Sequence, residues 1–503
     1  MDHSAPHQHI DPAWRIGMVV GFATTVVMWL IAFFLHLQGL TADPAVTGVA
    51  LLTAQFGGSA LAGRFSAPDR SPWKLGLFTG LTIGVLNLLI LGSVLTEPAR
   101  TNADEALRPN AGLMVAGYLI LSLAIGLIGS TLGSRLLNPK PEQDNRDHDR
   151  WVSRFAWIAA LAIVPVLFTG GLTTSNQAGL AVPDWPNTYA TNMFLYPVSS
   201  MTGGKLYEHT HRLFGSLAGV TAFGLFLFSC SAWLGSRKAS SPRQPFYAKA
   251  TLFSLCAGLA VLTQGIIGGY RVILADGSED LDQLTQTVET IDPEQITRSF
   301  SLTNDNTTSL ALAVVHGVTG QLTFALLCVI ASILSVRWMR SATEHRSSDF
   351  LLRLATGGLA CTLLLQLSLG SVTRHFQHTH ALFAHMGFSV IVTGLAIFAA
   401  ARGITKHSGT KPIGPLAKGV LAVVLTQFLL GWVALMVVVP HYDEALGTTT
   451  TTAERPASSV LVATLHQMTG AALLALGVLL ALWTFRLTVS GKPTKPDQTT
   501  LLT

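Results

Sequence analysis

Charged residues are scarce in this chain of 503 residues. Asp, Glu, Lys and Arg together make up 12% of it, about half of the share that soluble domains carry. Hydrophobic residues make up 49%, and the mean hydropathy is +0.47. Apolar runs of roughly 20 residues, the length that crosses a bilayer, recur along the chain. The composition therefore excludes a soluble globular domain and predicts a membrane protein with many spans.

Cysteine is also rare. The four cysteines, Cys230, Cys256, Cys328 and Cys361, lie in or at the ends of apolar runs and have no paired spacing. This pattern argues against a disulfide or a cysteine-ligated metal site and favours packing thiols.

The N-terminal stretch MDHSAPHQHIDPAWR lacks the short apolar core and the cleavage site of a secretory signal, so we expect the first apolar helix to be retained.

The apolar runs predict an all-α polytopic membrane protein with about twelve transmembrane helices. The predicted spans are 15–38, 46–63, 73–95, 111–137, 152–172, 210–234, 248–270, 308–336, 350–372, 381–401, 414–438 and 458–485.

Lys and Arg are distributed unevenly between the two sets of connections. With the N-terminus placed inside, 24 of the 32 Lys and Arg residues fall on the inner side. Because positive residues are enriched on the cytoplasmic side of membrane proteins, the bias predicts a multi-pass protein of the cell inner membrane with both termini cytoplasmic. It also accounts for the pI near 9.1, so we expect no nucleic-acid partner.

The longest polar connection on the inner side, residues 135–151, is predicted to be a cytoplasmic linker. Residues 1–134 before it form a predicted four-helix membrane module, whose role the sequence leaves open. After the linker we expect two four-helix bundles, over residues 152–340 and residues 341–503, the second of which includes a cytoplasmic tail.

Two motifs occur twice after the linker. TQGIIGGYRVI (263–273) resembles TQFLLGWVALM (426–436) and shares with it Thr-Gln and a Gly four residues after the Gln. HGVTGQL (316–322) resembles HQMTGAA (466–472) and shares His-x-x-Thr-Gly. Four spans separate the copies, so the two units run in the same direction, about an axis along the membrane normal. The pattern favours a duplication, although small residues also recur in membrane helices for packing alone.

Four of the sixteen histidines lie near the starts of even-numbered spans. They are His211, His316, His385 and His466. Ionisable residues inside a membrane are costly and usually functional, and imidazole binds transition metals. Two His per repeat, with no Cys, carboxylate or third His at the same depth, suit the two axial positions of a heme. We predict that these four histidines are metal ligands. Glycines near them, such as Gly215, would admit a flat macrocycle or serve helix packing.

The ligand in the second bundle has an alternative. EHTHRLF (208–214) matches QHTHALF (377–383), which would make His380 the counterpart of His211. His380 and His385 lie about 140° apart on a helix, so they cannot replace each other on one face. We prefer His385 because it lies inside the apolar span, and we keep His380 as the alternate.

One segment carries a family resemblance. GGLTTSNQAGLAVPDWPNTYATNMFLYP (170–197), followed by Glu208, His211 and Arg212 in an E-x-x-H-R motif, resembles the heme A synthase family. The resemblance covers roughly residues 152–487. It implies a duplicated eight-helix membrane enzyme, an oxidoreductase that converts a methyl group of heme O to the formyl group of heme A, the cofactor of terminal oxidases.

The resemblance also implies cofactors and partners. His211 and His316 in the first bundle would hold heme O as substrate, while His385 and His466 would hold a permanent heme B that passes electrons. The partners would be a heme O-supplying enzyme and the terminal oxidase assembly machinery, and the question whether the protein forms a homo-oligomer stays open.

Because all four ligands follow the linker, we expect a chain without residues 1–134 to keep at least part of its activity.

Two charged residues next to His211 are assigned as catalytic. Glu208 lies one helical turn before His211, so both can face the bundle interior, and the acid can take or donate a proton at the heme edge. Arg212 can pair with a heme propionate. The alternative is that both only anchor the helix at the interface. His209 is expected at the rim of the site, and residues 184–186 are expected to shape an outer loop over it.

The chain departs from the family in its four extra N-terminal spans, in lacking an outer-loop cysteine pair, and in lacking a His-Arg pair in FQHTHALFAHMG. Two other functions compete with the enzyme. A di-heme electron-transfer subunit of the cytochrome b kind explains the four histidines, but not the acid and loop beside only one pair. A heme carrier would need only one labile site.

Overall fold

A computed structural model of the protein describes residues 13–37, 40–67, 70–96, 107–137, 147–189, 191–238, 240, 243–275, 307–341, 347–441 and 455–490. The middle of the predicted linker, residues 138–146, and the predicted tail, residues 491–503, lie outside the described residues.

The described residues form an all-α fold. The helices are α1 (Ala13–His36), α2 (Pro44–Gly63), α3 (Pro72–Leu95), α4 (Ala111–Leu136), α5 (Asp147–Ser175), α6 (Gly203–Lys238), α7 (Gln244–Ile273), α8 (Thr307–Ile333), the short α9 (Val336–Arg340), α10 (Phe350–Phe376), α11 (Thr379–His407), α12 (Ile413–Val437) and α13 (Ala457–Leu487). Two two-residue strands, β1 (Ser347–Ser348) and β2 (Thr488–Val489), pair in parallel.

Every helix except α9 is long and apolar enough to cross a membrane, which makes twelve candidate spans within the described residues. The predicted number of spans is confirmed, and the chain is an integral, multi-pass membrane protein. The largest difference from the predicted spans is at α6, which begins at Gly203 rather than near residue 210 and runs for 36 residues. Glu208 and His211 therefore lie inside a helix and not at its edge.

The twelve long helices pack as three four-helix groups. In the N-terminal module, α1–α4, the helices pack in the cyclic order α1, α2, α4, α3. In the first bundle, α5–α8, and in the second bundle, α10–α13, each helix packs against the next in sequence and the last closes on the first. The first bundle lies in the middle, because α1 packs against α5 and α6 on one side and α13 packs against α5 and α8 on the other.

Both bundles have the same polarity. The helices α5, α7, α10 and α12 end at one side of the bundles, where α6, α8, α11 and α13 begin, and we call this side the histidine end. The connections differ in length: α5 joins α6 through residues 176–202, here called the α5–α6 loop, whereas α10 joins α11 through two residues, Gln377 and His378. Since Ala190 is not described, the loop is described in two parts.

At the opposite end, the second bundle is held together by a buried carboxylate. Asp349 caps α10 by accepting a hydrogen bond from the backbone N–H of Leu352 at 2.9 Å. Its two oxygens also lie 2.8 Å from Nε of Arg402 and 3.0 Å from Nε2 of His407, both near the end of α11. Burial disfavours the charged carboxyl, but these three hydrogen bonds outweigh it and hold the pKa of Asp349 below its usual range.

Candidate functional site

The four predicted histidines form two facing pairs. In the first bundle the ring centroids of His211 and His316 lie 6.2 Å apart, with the ring planes at 88°. In the second bundle the centroids of His385 and His466 lie 6.3 Å apart, with the ring planes at 83°. Each residue lies six to nine positions after the start of its helix at the histidine end. The helices thus bring the four side chains together as two pairs at one depth.

A glycine of the preceding helix lies against each ring. A Cβ placed on Gly170 would come 2.8 Å from Cε1 of His211, and one on Gly370 would come 2.8 Å from Cε1 of His385. Gly268 and His316 make the same contact at 3.1 Å, and Gly431 and His466 make it at 3.4 Å. Real Cβ atoms do not approach closer than about 3 Å without displacement of a neighbour. The absent Cβ at Gly170 and Gly370 is therefore what gives these rings their positions.

The two repeated sequence motifs contact each other in both bundles. Gln264 of the first Thr-Gln motif donates a hydrogen bond through Nε2 to Oγ1 of Thr319, in the His-x-x-Thr-Gly motif, at 2.7 Å. In the second bundle Oγ1 of Thr469 donates to Oε1 of Gln427. The glycine four residues after each Gln is the one that lies against the histidine ring. The repeats that the sequence revealed are thus the residues that build the histidine sites.

The rings have features that suit a metal porphyrin. If one metal ion lay between two imidazoles, two metal–nitrogen bonds of about 2.0–2.1 Å and the distance from each nitrogen to its ring centroid would place the centroids roughly 6 Å apart. Both observed separations are close to this value. Nδ1 of His466 is buried without a hydrogen-bond partner, a state that native proteins rarely leave unexplained. Among the described residues no three His, Cys, Asp or Glu side chains cluster as a protein-only metal site requires. The porphyrin would supply the remaining ligands.

The face of α6 that carries His211 leaves room beside the ring. Gly215 lies one turn further along the same face, and a Cβ placed there would meet no atom within 4 Å. Nδ1 of His211 lies 3.0 Å from the backbone oxygen of Val166, which fixes the orientation of the ring. The donor set, the ring spacing and this open face fit a heme.

Glu208 is buried, with 4% of its surface exposed. Its Oε2 accepts a hydrogen bond from the backbone N–H of Val182 at 2.8 Å, and its Oε1 lies 2.6 Å from Nη2 of Arg212. A carboxylate held by two donors has a fixed position one turn from His211. The four helices of the second bundle contain no Asp or Glu at all, so this acid has no counterpart there.

Arg212 holds the α5–α6 loop. Nη1 donates to the backbone oxygens of Asp184 at 2.7 Å and Asn187 at 2.9 Å, and Nη2 donates to the oxygen of Val182 at 3.0 Å in addition to Glu208. These four bonds use the four hydrogens of the two terminal nitrogens. The expected pairing of Arg212 with a propionate is therefore corrected, since the loop already occupies both terminal nitrogens.

The loop reaches across to the helix that supports His316. A Cβ on Gly269 would collide with the ring of Trp185, while its neighbour Gly268 lies against His316. The successive glycines therefore let the tryptophan ring and the imidazole ring each pack closely against α7, at neighbouring positions of that helix. Tyr189 closes the loop on itself, because its N–H donates to Oδ1 of Asp184 at 2.8 Å. The expectation that residues 184–186 shape a loop at the site agrees with these contacts.

The sequence suggested that His209 lies at the rim of the site, but in the structure it does not. It is fully buried, at 0% exposure. Its Nδ1 lies 3.1 Å from Oγ1 of Thr188, and its ring centroid lies 5.3 Å from that of Tyr196. The prediction was wrong because it placed the start of α6 after His209, whereas the helix begins earlier and turns this side chain under the loop.

The structure pairs His385, and not the alternate His380, with His466. His380 is exposed at the start of α11, and the glycine contact from α10 is made to His385.

Three basic residues at the histidine end were not predicted from the sequence to belong to the site. Arg271 lies within electrostatic range of His316, and Arg374 lies within range of His466. His375, near the end of α10, lies within range of Arg271, Arg374 and His316. The positions of the two arginines could have identified them, because each follows by about one helical turn a glycine that lies against a histidine ring.

Comparison with known proteins adds a family. Residues 153–392 match the family described as cytochrome oxidase assembly protein, COX15-CtaA. The matched region includes three of the paired histidines and the whole α5–α6 loop, and it ends before His466. No curated protein matches the chain. Over residues 153–392, just under half of the chain, the protein is thus similar to the cytochrome oxidase assembly protein family, the heme A synthase family.

Proposed function

We propose that this protein oxidises a methyl group of heme O to the formyl group of heme A. The observation that carries the proposal is the asymmetry between two otherwise equivalent histidine pairs. Beside His211 and His316 lies a buried, fixed carboxylate, Glu208, under a long loop, whereas the helices around His385 and His466 contain no carboxylate. One pair is equipped for chemistry, and the other for holding a cofactor.

In this proposal His211 and His316 bind and orient the substrate heme O, and His385 and His466 hold heme B. Heme B, when bound, supplies electron transfer. The glycine behind each ring and, in the first bundle, the bond from His211 to Val166 keep the imidazoles facing each other across the bundle. The histidines therefore position iron without being chemically altered themselves.

Glu208 is proposed to stabilise charge and to accept a proton as the methyl group is oxidised. Counted with water as the oxygen source, the conversion of a methyl to a formyl group releases four protons and four electrons, and the electrons would leave by way of the second histidine pair to an external electron acceptor. A methyl group has no polar handle, so its oxidation generates charge at the carbon or at the attached oxygen. In a low-dielectric bundle a preorganised charged group lowers the cost of that charge. Val182 and Arg212 hold the carboxylate in place, so no reorganisation is needed at the moment of reaction.

The surrounding residues have positioning and binding roles in this proposal. Arg212 and Trp185 hold the α5–α6 loop over the first pair and limit the access of water. Arg271 and Arg374 replace Arg212 as the proposed partners of heme propionates, because each follows by about one helical turn a glycine that lies against a histidine ring. Nη2 of Arg374 also donates to Oγ of Ser175 at 2.6 Å.

The cellular setting is proposed from the charge bias and the family. Both termini lie in the cytoplasm, the histidine end faces outward from the inner membrane, and the protein receives heme O from a heme O-supplying enzyme. Heme A then passes to the terminal oxidase assembly machinery, in which the family takes part.

A di-heme electron-transfer subunit is the second candidate. The equal ring separations of 6.2 Å and 6.3 Å and the repeated glycine contacts favour it, because they make two equivalent heme sites. It gives no role to Glu208 or to the loop, and a heme carrier gives no role to the second pair.

The test is Glu208→Gln, which keeps the shape of the side chain and removes its charge. We expect heme binding at both pairs to persist and turnover to fall by about 10²- to 10⁴-fold, with heme O or a hydroxymethyl product accumulating. The measurement is chromatography of hemes extracted from cells that make heme O. Asp43→Asn, at the exposed cap of α2, is the matched control and should leave heme A unchanged. Normal heme A in Glu208→Gln would favour the electron-transfer subunit instead.

A further inference from the structure

The N-terminal module touches the α5–α6 loop directly. Thr96, at the end of α3, donates a hydrogen bond through Oγ1 to the backbone oxygen of Leu195 at 2.7 Å. One turn earlier, a Cβ on Gly92 would collide with the backbone oxygen of Phe194. Thr96 is 3% exposed, so the contact is buried. The end of α3 therefore fits closely against the second part of the loop.

The contact continues into the part of the loop that covers the first pair. Tyr196, next to Leu195, is buried, with its ring 5.9 Å from Tyr189 in a stacked arrangement and 5.3 Å from His209. His209 in turn contacts Thr188. Aromatic stacking of this kind transmits position because buried rings have few alternative packings.

The same loop residues hold the proposed catalytic group. Tyr189 bonds through its N–H to Asp184 and through its hydroxyl to the oxygen of Ala181 at 2.5 Å. The neighbouring Val182 donates the backbone hydrogen bond to Glu208. A continuous series of contacts thus runs from α3, through the loop, to the carboxylate beside His211.

A second set of contacts joins α1 to the back of α6. Trp29 and Phe33 lie with their rings 5.9 Å and 6.2 Å from that of Phe214, which follows Arg212 by two positions. Trp29 is itself fixed to α3, because its indole N–H donates to Oδ1 of Asn87 at 2.9 Å. The module therefore supports both the loop and the helix that carries Glu208.

We infer that α1 and α3 of the N-terminal module act as a built-in support that positions the α5–α6 loop, and through it Glu208, over the first histidine pair. Thr96 and Gly92 are the positioning residues. The catalytic part of this inference rests on the proposed function, whereas the positioning part concerns only this chain. It predicts that the loop loosens when the contact with α3 is broken, although no ligand of either pair is touched.

The experiment compares matched variants by hydrogen–deuterium exchange of the full-length protein in lipid nanodiscs. Thr96→Val removes the hydroxyl, and Thr96→Ser restores it. Gly92→Ala inserts a methyl group against Phe194, while Gly117→Ala inserts one in α4, where no atom lies within 4 Å. We expect loop peptides covering residues 178–196 to exchange roughly three- to tenfold faster in Thr96→Val and Gly92→Ala, and at the wild-type rate in Thr96→Ser and Gly117→Ala.

The heme readouts separate this inference from the proposed function. Heme A yield should fall in the two loosened variants, and the absorption of heme at the first pair should shift while that at the second pair stays unchanged. If the loop exchanges faster in these variants but the wild-type protein makes no heme A, the inference stands and the proposed function is overturned. Unchanged loop exchange in both Thr96→Val and Gly92→Ala would overturn the inference. If Gly92→Ala fails to insert, the two Thr96 variants decide the question alone.

Discussion

In the first bundle the histidine pair lies under the α5–α6 loop, beside a buried carboxylate, and against an additional four-helix module. In the second bundle the corresponding connection, between α10 and α11, has two residues, and the four helices carry no acidic residue. The two pairs nevertheless share a ring separation of 6.2–6.3 Å and a glycine behind each ring. A common frame therefore holds both pairs, and the added residues distinguish them.

The difference indicates where specialisation was added to the frame. Binding a planar ligand between two imidazoles needs only the helices, the histidines and the glycines, which both bundles have. Chemistry on that ligand needs a charged group fixed in a low-dielectric site, and a loop that excludes water. Among the described residues the first bundle supplies both, and it also has the supporting contact from α3.

The largest expected effect comes from removing one histidine of each pair. His211→Ala should abolish the binding of heme O and with it all turnover, while leaving the second-bundle heme in place. His466→Ala should remove the low-spin bis-imidazole spectrum of heme B but leave heme O bound. Pyridine hemochrome analysis of the purified variants would measure both. A His466→Ala protein that keeps a normal heme B spectrum would contradict the assignment of the second pair.

A smaller effect is expected from the glycines behind the rings. Gly170→Ala should displace His211 and lower turnover by roughly ten- to a hundredfold, since such reactions depend on placement within about 1 Å. Gly370→Ala should displace His385 and shift the heme B spectrum without lowering heme O binding. Gly357→Ala, where the nearest atom is 3.6 Å away, is the control. Equal effects of Gly170→Ala and Gly370→Ala on heme O binding would remove the distinction between the pairs.

The smallest effect concerns the opposite end of the second bundle. Asp349→Asn should destabilise the protein by about 2 kcal/mol, because Arg402 and His407 lose their buried acceptor. The pKa of Asp349 in the folded state is below its ordinary value. Its contribution is therefore fully present above the ordinary pKa, and it is lost as the pH falls through the folded-state pKa.

Thermal unfolding followed by circular dichroism, from pH 7 down to pH 3, would test this prediction. The wild type should lose stability with acid more steeply than Asp349→Asn. Parallel slopes in the two proteins would show that the carboxylate does not contribute in this way.

Much of the architecture could be predicted from the sequence. The length and polarity of the apolar runs predicted twelve spans because a bilayer imposes one length on every helix that crosses it. The repeated His-x-x-Thr-Gly and Thr-Gln motifs pointed to two equivalent units, and their residues contact each other in both bundles. The choice between His380 and His385 could not be settled from the sequence, since the motif match pointed to His380 and the apolar span favoured His385.

The prediction failed where a helix continues beyond the apolar run. Gly203 to Thr210 is too polar to be recognised as part of a membrane span, so His209 was placed at the rim, although it is buried. The role of Arg212 was misjudged for a related reason. Its partners are backbone oxygens of the loop, and backbone atoms leave no signature in a sequence.

The sequence by itself determined the membrane class, the number of spans and the positions of the four histidines, because hydrophobic length and residue type are local properties. Only the tertiary structure decided which histidines face each other, which glycines support them and what Arg212 binds. It alone also placed the N-terminal module against the α5–α6 loop. These features depend on contacts between residues far apart in the chain, such as Thr96 and Leu195, and such contacts are set by the packing of whole helices.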